Sequence, residues 1–229
     1  DRSPSRGLGD VYKRQVVEKL RSGIETLMQM PGITFVRGFA HFTDAKTIAV
    51  GDETYTADNI IIATGSSSKC PPIEGLTLPG VVDSTQLLDI DHIPGNLCII
   101  GAGVIGMEFA SIFNSFGSKV TVIEFMKECL PVLDSDIAKR LRQTIGKRGV
   151  EFTMQSAVKS ITTSTTEDGK QQLVVNYEKK GKPQQVNADT VLIATGRKPN
   201  TDELGLELAG IEHSPKGIAV DNNFRTNIN

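Results

Sequence analysis

Gly101, Gly103 and Gly106 form the hexad Gly101-Ala102-Gly103-Val104-Ile105-Gly106, and an acid, Glu124, follows 18 positions after its last glycine. These residue types at this spacing point to binding of the pyrophosphate and adenosine ribose of NAD. The first glycine lets a strand turn tightly, the second lets backbone approach the pyrophosphate, and the third lets helix and strand pack closely. A helix opened by such a loop presents unpaired N–H groups and the positive end of its dipole, which favour a diphosphate. A carboxylate at position 124 can accept both ribose hydroxyls and would repel the 2′-phosphate of NADP. No arginine stands just after it to reverse that preference, although Lys127 is near. Alone, the hexad fits an ordinary glycine-rich turn and Glu124 a solvated strand end, so the flanking elements decide.

Those elements are of the required kind. The apolar run Leu97-Cys98-Ile99-Ile100 precedes the hexad, and Lys119-Val120-Thr121-Val122-Ile123 leads to Glu124 as a second β-branched strand. Between them Ile105, Phe109, Ile112 and Phe116 recur at spacings of four, three and four, which predicts a helix over about 104–116 with those residues as its buried stripe. Gly117 ends it. A further helix is expected after Asp134 as N-cap, with Ile137, Leu141 and Ile145 on one face and Gly149 at its end. The chain also repeats itself: Ala57-Asp-Asn-Ile-Ile-Ile-Ala-Thr-Gly65 returns as Ala188-Asp-Thr-Val-Leu-Ile-Ala-Thr-Gly196, an offset of 131 residues. Each copy follows stretches of alternating polarity, 33–50 and 157–186, the latter with a turn at Asp168-Gly169, and each reads as the closing strand of a dinucleotide-binding domain carrying a β-meander. The expected fold is therefore α/β: a Rossmann-like NAD-binding domain with a β-meander insertion, flanked by parts of a second, incomplete domain of the same type. The second copy has its glycine hexad upstream; nothing before Ala57 supplies one for the first.

The N-terminus explains part of that asymmetry. Residues 1–15 do not read like protein, and Asp10 to Gln15 back-translates into a transposase adapter used for sequencing libraries, so this stretch is expected to be an artefact. The other reading is a real basic arm. Without residues 1–15 the chain carries 21 basic residues (25 less four) against 25 acidic (27 less two), a net charge of −4. That balance gives no reason to expect nucleic acid or an anionic membrane as partner. No apolar stretch approaches the roughly 18 residues of a membrane span. Ser66-Ser-Ser-Lys-Cys-Pro-Pro72 reads as an interdomain linker.

The ordered series Ala-Thr-Gly-Ser (63–66), Gly-Ala-Gly-Val-Ile-Gly-Met-Glu (101–108), Val-Thr-Val-Ile-Glu (120–124) and Ala-Thr-Gly-Arg-Lys-Pro-Asn-Thr (194–201) resembles the FAD-dependent pyridine nucleotide-disulfide oxidoreductases. Within that family it is most similar to the dihydrolipoyl dehydrogenases, over essentially all of 16–228. The resemblance implies that Gly101, Ala102, Gly103, Val104, Ile105 and Gly106 hold the NAD pyrophosphate and Glu124 its ribose. It also implies that Glu108 reaches the nicotinamide carboxamide, that Val158 gives a backbone contact near the adenine, and that Gly196 lies beside the nicotinamide nucleotide. On its own Glu108 also fits a solvated helix residue, the less favoured reading. For the flavin, Ala40 matches the segment meeting the FAD adenine, and Thr64, Gly65 and Ser66 match the strand end that closes over FAD. The implied domains are 16–68 as the last part of a first FAD-domain segment, 69–198 as the NAD domain, and 199–229 as the return into the FAD domain.

Family catalysis moves electrons from a dithiol through a Cys-x-x-x-x-Cys pair and FAD to NAD. Cys70, Cys98 and Cys129 are 28 and 31 positions apart, so none forms that pair. Cys98 reads as a small buried strand residue and the other two as structural or solvent-facing thiols. His41, His92 and His213 do not match the family's catalytic histidine and fall on turns or strand faces, with no metal-ligand spacing. The run Asn222 to Ile228 resembles the lead into the family's FAD-ribityl aspartate, and Asn229 departs from it. No catalytic or metal residue is therefore expected here. The parent is expected to be a cytoplasmic homodimer oxidising dihydrolipoamide with NAD, and this chain alone to be inactive. Two alternatives stay open: a noncatalytic NAD-binding module, or part of a mercuric reductase, soluble transhydrogenase or glutathione reductase.

Overall fold

A computed structural model describes residues 3–167 and 169–228, with side chains from residue 11 onward. Asp168 of the expected turn, the terminal Asn229, and Asp1 and Arg2 of the stretch read as an adapter lie outside the described residues. The chain divides into two compact units, one of residues 1–62, 201–214 and 218–229, the other of residues 63–200 and 215–217.

The first unit opens with helix α1 (Ser3–Met28), exposed along all its described side chains but the half-buried Lys13, and continues into a three-stranded antiparallel sheet, β1 (Ala40–Asp44), β2 (Thr47–Val50) and β3 (Glu53–Thr56). Its core joins Phe42 to Leu204, Leu206, Ala209 and Ile211, and the Phe42 N–H donates to the Leu204 carbonyl at 2.7 Å.

The second unit carries the hexad. In chain order its elements are β4 (Ser66–Ser68), β5 (Val81–Asp83), α2 (Ser84–Leu88), β6 (Asn96–Ile100), α3 (Val104–Ser115), β7 (Lys119–Ile123), α4 (Ser135–Gly146) and β8 (Glu151–Thr153). They continue as β9 (Ser156–Thr165), β10 (Gln171–Lys179), β11 (Lys182–Ala188), β12 (Thr190–Ile193) and β13 (Arg197–Pro199). A five-stranded sheet in the order β5-β12-β6-β7-β8 is parallel throughout. Leu97 and Ile99 of β6, Val120 and Val122 of β7 and Leu192 of β12 pack in the core formed with α3 and α4. Cys98, Ile100, Ile123, Val191 and Ile193 pack in the core formed with the meander β9-β10-β11. Both faces are thus covered, which is why these strands are continuously apolar rather than alternating.

Three local expectations are corrected. The buried face of α3 is Gly106, Met107, Ala110 and Phe113, whereas Ile112 and Phe116 are 45% and 57% exposed. The reason is Gly106: a Cβ there would collide with the Gly101 carbonyl oxygen, so the helix approaches the strand on that face, and Ala110 and Phe113 follow one and two turns later. In α4 the core side is Ala138 and Ile145, leaving Ile137 53% exposed and Leu141 37% exposed, and the helix ends at Gly146 before the left-handed Gly149. The first Ala-Thr-Gly copy forms no strand over 60–65, because among the described residues no strand pairs with it. Its second copy becomes β12, hydrogen-bonded to β5 on one side and β6 on the other.

Candidate functional site

Strands β6, β7 and β12 all run into one cleft of about 820 Å³ at their C-terminal ends. Ligands bind parallel sheets at such a crevice, where connections leave a strand in opposite directions. Here the chain leaves β6 through α3 to β7 and returns through the meander to β12 on the other side.

The three glycines do different work. At Gly101 φ is +109°, and a Cβ would strike the Ala194 carbonyl, so the second Ala-Thr-Gly strand end packs against the turn. Gly106 needs its missing side chain for the helix contact described above. Gly103 is different: its φ of −73° suits any residue, and a Cβ there would meet no protein atom within 4 Å. Neither strain nor packing within the chain asks for glycine at 103; bare backbone there faces the cleft. Gly103 is also the N-cap of α3 and brings no side-chain hydrogen bond, so the first N–H groups of that helix keep their capacity for an anion.

Glu124 stands at the end of β7, half-buried, and both of its oxygens are engaged by backbone. One accepts from the Ala102 N–H at 2.5 Å and the other from the Met126 N–H at 2.7 Å. A carboxylate has about four acceptor positions, so two fixed bonds orient it while leaving capacity for two hydroxyls. Its own backbone is tied into the rim: the Glu124 N–H donates to Thr153 at 2.9 Å and the Ser156 N–H to Glu124 at 2.9 Å.

Of the residues expected to hold a pyridine nucleotide, Gly101, Gly103, Val104, Ile105, Glu124, Val158 and Gly196 line this cleft together. Ala102 and Gly106 lie buried beneath its floor, Ala102 as the donor to Glu124. Glu108 is exposed further along α3 and is not part of the wall. Thr64, Gly65 and Ser66 lie outside the cleft and are fastened to the other Ala-Thr-Gly end. Thr64 donates to the Asn200 carbonyl at 2.7 Å, the Asn200 N–H donates to Gly65 at 3.0 Å, and the Arg197 guanidinium donates to the Ser66 hydroxyl at 2.7 Å. Gly65 is left-handed with open space at its Cβ position. Ala40 is exposed at the start of β1 in the other unit.

The sequence reading missed Pro71, Pro72 and Ile73 on one wall and Phe125, Met126 and Pro131 on another. Phe125 and Met126 directly follow Glu124, and that adjacency to a strand's C-terminal end was the available signal. It also missed Arg142, whose guanidinium grips the Glu128 carboxylate with two parallel bonds of 2.6 and 2.9 Å. That partner holds Glu128 far down, at about 2. Nothing local announces a pair 14 residues apart.

The thiols take no part in the cleft. Cys98 is buried in β6 as expected, and loss of solvation pushes it up to about 12; burial and the adjacent Glu128 push Cys129 up to about 11. Cys70 is exposed. His41 lies in β1, His92 in a bend against Asp91, and His213 in the short strand His213–Ser214, 3.2 Å from Glu207.

Comparison with known proteins supplies the context. Residues 2–229 match the family model described as pyridine nucleotide-disulphide oxidoreductase. The dihydrolipoyl dehydrogenase of Geobacillus stearothermophilus is 39% identical over 228 residues, covering 95% of this chain and 46% of that protein. That of Staphylococcus aureus is 37% identical with the same coverage. The structure of the HOCl-induced flavoprotein disulfide reductase RclA of Escherichia coli superposes with a TM-score of 0.82 at 37% identity, covering 95% of this chain and 49% of RclA. The chain therefore spans about half the length of these relatives.

Proposed function

The chain belongs to the pyridine nucleotide-disulphide oxidoreductase family, and from that premise we propose that its cleft receives NAD, with the diphosphate over Gly103 and the adenosine ribose on Glu124. The observation that carries this is the pairing of a glycine no protein atom requires with a carboxylate already oriented by two backbone donors.

The residues divide the task. The N–H groups opening α3 hold the diphosphate without a side chain in the way. Glu124 accepts the two ribose hydroxyls; against a 2′-phosphate about 4 Å away it would contribute roughly 4 kcal/mol of repulsion per unit charge at a surface-like dielectric. Val158 and Gly196 bound the cleft on the meander side and at the end of β12. By position in the family, Glu108 serves the nicotinamide carboxamide, while Ala40, Thr64, Gly65 and Ser66 contribute to holding FAD. The left-handed, open Gly65 suits close approach of such a group. Bound FAD would supply two-electron transfer between a dithiol–disulfide couple and the nicotinamide.

For the whole protein we propose the activity carried in the relatives' names: oxidation of dihydrolipoamide with NAD, in a cytoplasmic homodimer. Among the described residues no helix is long and apolar enough to cross a membrane. The 229-residue chain alone should bind nucleotide without turning over dihydrolipoamide.

Parallel titration of the chain with NADH and NADPH tests the reading, with Glu124→Arg as comparator. The wild-type chain should prefer NADH, and the variant should lose about tenfold or more for NADH, the scale of a lost charge-assisted contact, while sparing or improving NADPH. Equal discrimination in the two proteins would remove Glu124 from the ribose site.

A further inference from the structure

Between β7 and α4 residues 124–134 form no regular element, yet they carry Glu124 and three cleft-lining apolar residues, Phe125, Met126 and Pro131. What holds this segment in place is a short list of contacts. Leu130 is buried at 4% exposure and left-handed, with φ +49°, a conformation an L side chain adopts only when its surroundings over-determine it. Its N–H donates to the Ala102 carbonyl at 2.9 Å. Ala102 sits between the first two glycines and also gives its own N–H to Glu124. Both backbone groups of Ala102 are thus taken by residues of this one segment.

Two residues before Leu130, the Glu128 carboxylate accepts the Cys129 N–H at 3.0 Å and receives both prongs of Arg142 from α4. The paired side chains are only 23% and 26% exposed. The Cys129 thiol adds a 3.4 Å contact to the Ala138 carbonyl on the same helix. Strain at Leu130 is therefore bracketed by an anchor on α4 and a bond into the glycine loop.

We propose that Arg142 is a positioning residue for the nucleotide cleft: through its two-pronged grip on Glu128 it holds residues 128–130 in the path that brings the Leu130 N–H to Ala102, and so keeps the glycine loop and the Glu124 carboxylate in register. Arg142 itself does not line the cleft. Its planar fork cannot be copied by a lysine, which offers a point charge instead. The inference rests on the reading of the cleft as a pyridine nucleotide site, and its consequence is preorganisation, which is lost as affinity when a supporting contact is removed.

The test uses the 229-residue chain and its Arg142→Gln, Arg142→Lys, Glu128→Gln and Arg142→Gln/Glu128→Gln variants, read by NADH and NADPH titration and by amide hydrogen exchange without nucleotide. Arg142→Gln should weaken NADH about tenfold, should weaken NADPH less because NADPH shares only the glycine-loop part of the loss, and should speed exchange at Ala102 and Leu130. The double variant should lose no more than either single one, since both remove one contact. Arg142→Lys should fall between wild type and Arg142→Gln. A folded Arg142→Gln with the wild-type NADH/NADPH ratio, or with unchanged exchange at Ala102 and Leu130, would overturn the proposal. Should Arg142→Gln not fold, Arg142→Lys and Glu128→Gln decide by the same ratio. A wild-type chain that binds no NADH would sink the nucleotide reading and its positioning consequence, while the exchange rates would still tell whether the grip holds the loop.

Discussion

Replacing Gly103 with alanine separates what the fold needs from what a nucleotide needs. The new methyl group would find no protein atom within 4 Å, and the backbone is already in an ordinary region, φ −73°. Two small terms then oppose each other: alanine lowers the entropy of the unfolded chain by about 0.4–1 kcal/mol, and it is the poorer N-cap by roughly 0.5–1 kcal/mol. The net should stay within about 1 kcal/mol, or a melting temperature within about 2–4 °C of wild type for a chain of this size. Binding is another matter, because with the diphosphate placed as proposed the methyl group would occupy its approach to the N–H groups opening α3. Loss of one charge-assisted hydrogen bond costs about 1.5–3 kcal/mol, a weakening of roughly 10- to 150-fold. Gly106→Ala is the control with the opposite signature, since its Cβ collides with the Gly101 carbonyl oxygen. Overpacking of that kind costs about 1–3 kcal/mol, so melting should fall first. Thermal unfolding beside NADH titration reads both. A Gly103→Ala chain that binds NADH as tightly as wild type would refute the reasoning about the cleft.

Two further outcomes follow from the charged and thiol groups. Glu128 lies at about 2 in the folded chain against an ordinary 4.5; a carboxyl depressed on folding stabilises above its unfolded value and loses that contribution as pH falls toward the folded one. Allowing for solvent at a pair about one-quarter exposed, this should amount to about 1–2 kcal/mol, and the melting temperature of wild type should drop more steeply between pH 5 and 2 than that of Glu128→Gln; parallel curves would contradict it. Cys98 and Cys129 are buried and shifted up while Cys70 is exposed, so a thiol reagent should label Cys70 alone in the native chain and all three cysteines in denaturant, checked by peptide mass spectrometry. Native labelling at Cys98 would show that β6 is not in the core.

The unit β6-hexad-α3-β7-Glu124 was readable because each step is written locally: apolar strands, glycines at fixed offsets, and an acid at a strand end. The faces of the helices were less so. Nearly every position of α3 is apolar or small, so two stripes fit the same period, and the choice rests on Gly106 touching Gly101, a tertiary contact. That contact was nevertheless hinted at by the third glycine, whose face continues through Ala110 and Phe113. In α4 Ile145 of the expected stripe is buried, but beside it the core takes Ala138 rather than Ile137 and Leu141, because a small residue allows the helix to approach the core. The repeated Ala-Thr-Gly segment shows the limit from the other side: sequences identical at six of nine positions become β12 in one place and, among the described residues, no strand in the other, since a strand needs neighbours on its edges. The Glu128–Arg142 pair and the left-handed Leu130 arise only when loop and helix meet, and no spacing rule announces them.

The central claim is most directly tested by a crystal structure of the chain grown with NAD. The account predicts a diphosphate oxygen within hydrogen-bond distance of the N–H groups at the start of α3, over Gly103, and both adenosine ribose hydroxyls on the Glu124 carboxylate while it keeps the Ala102 and Met126 donors. A nucleotide bound away from Gly103, or a ribose turned from Glu124, would contradict it.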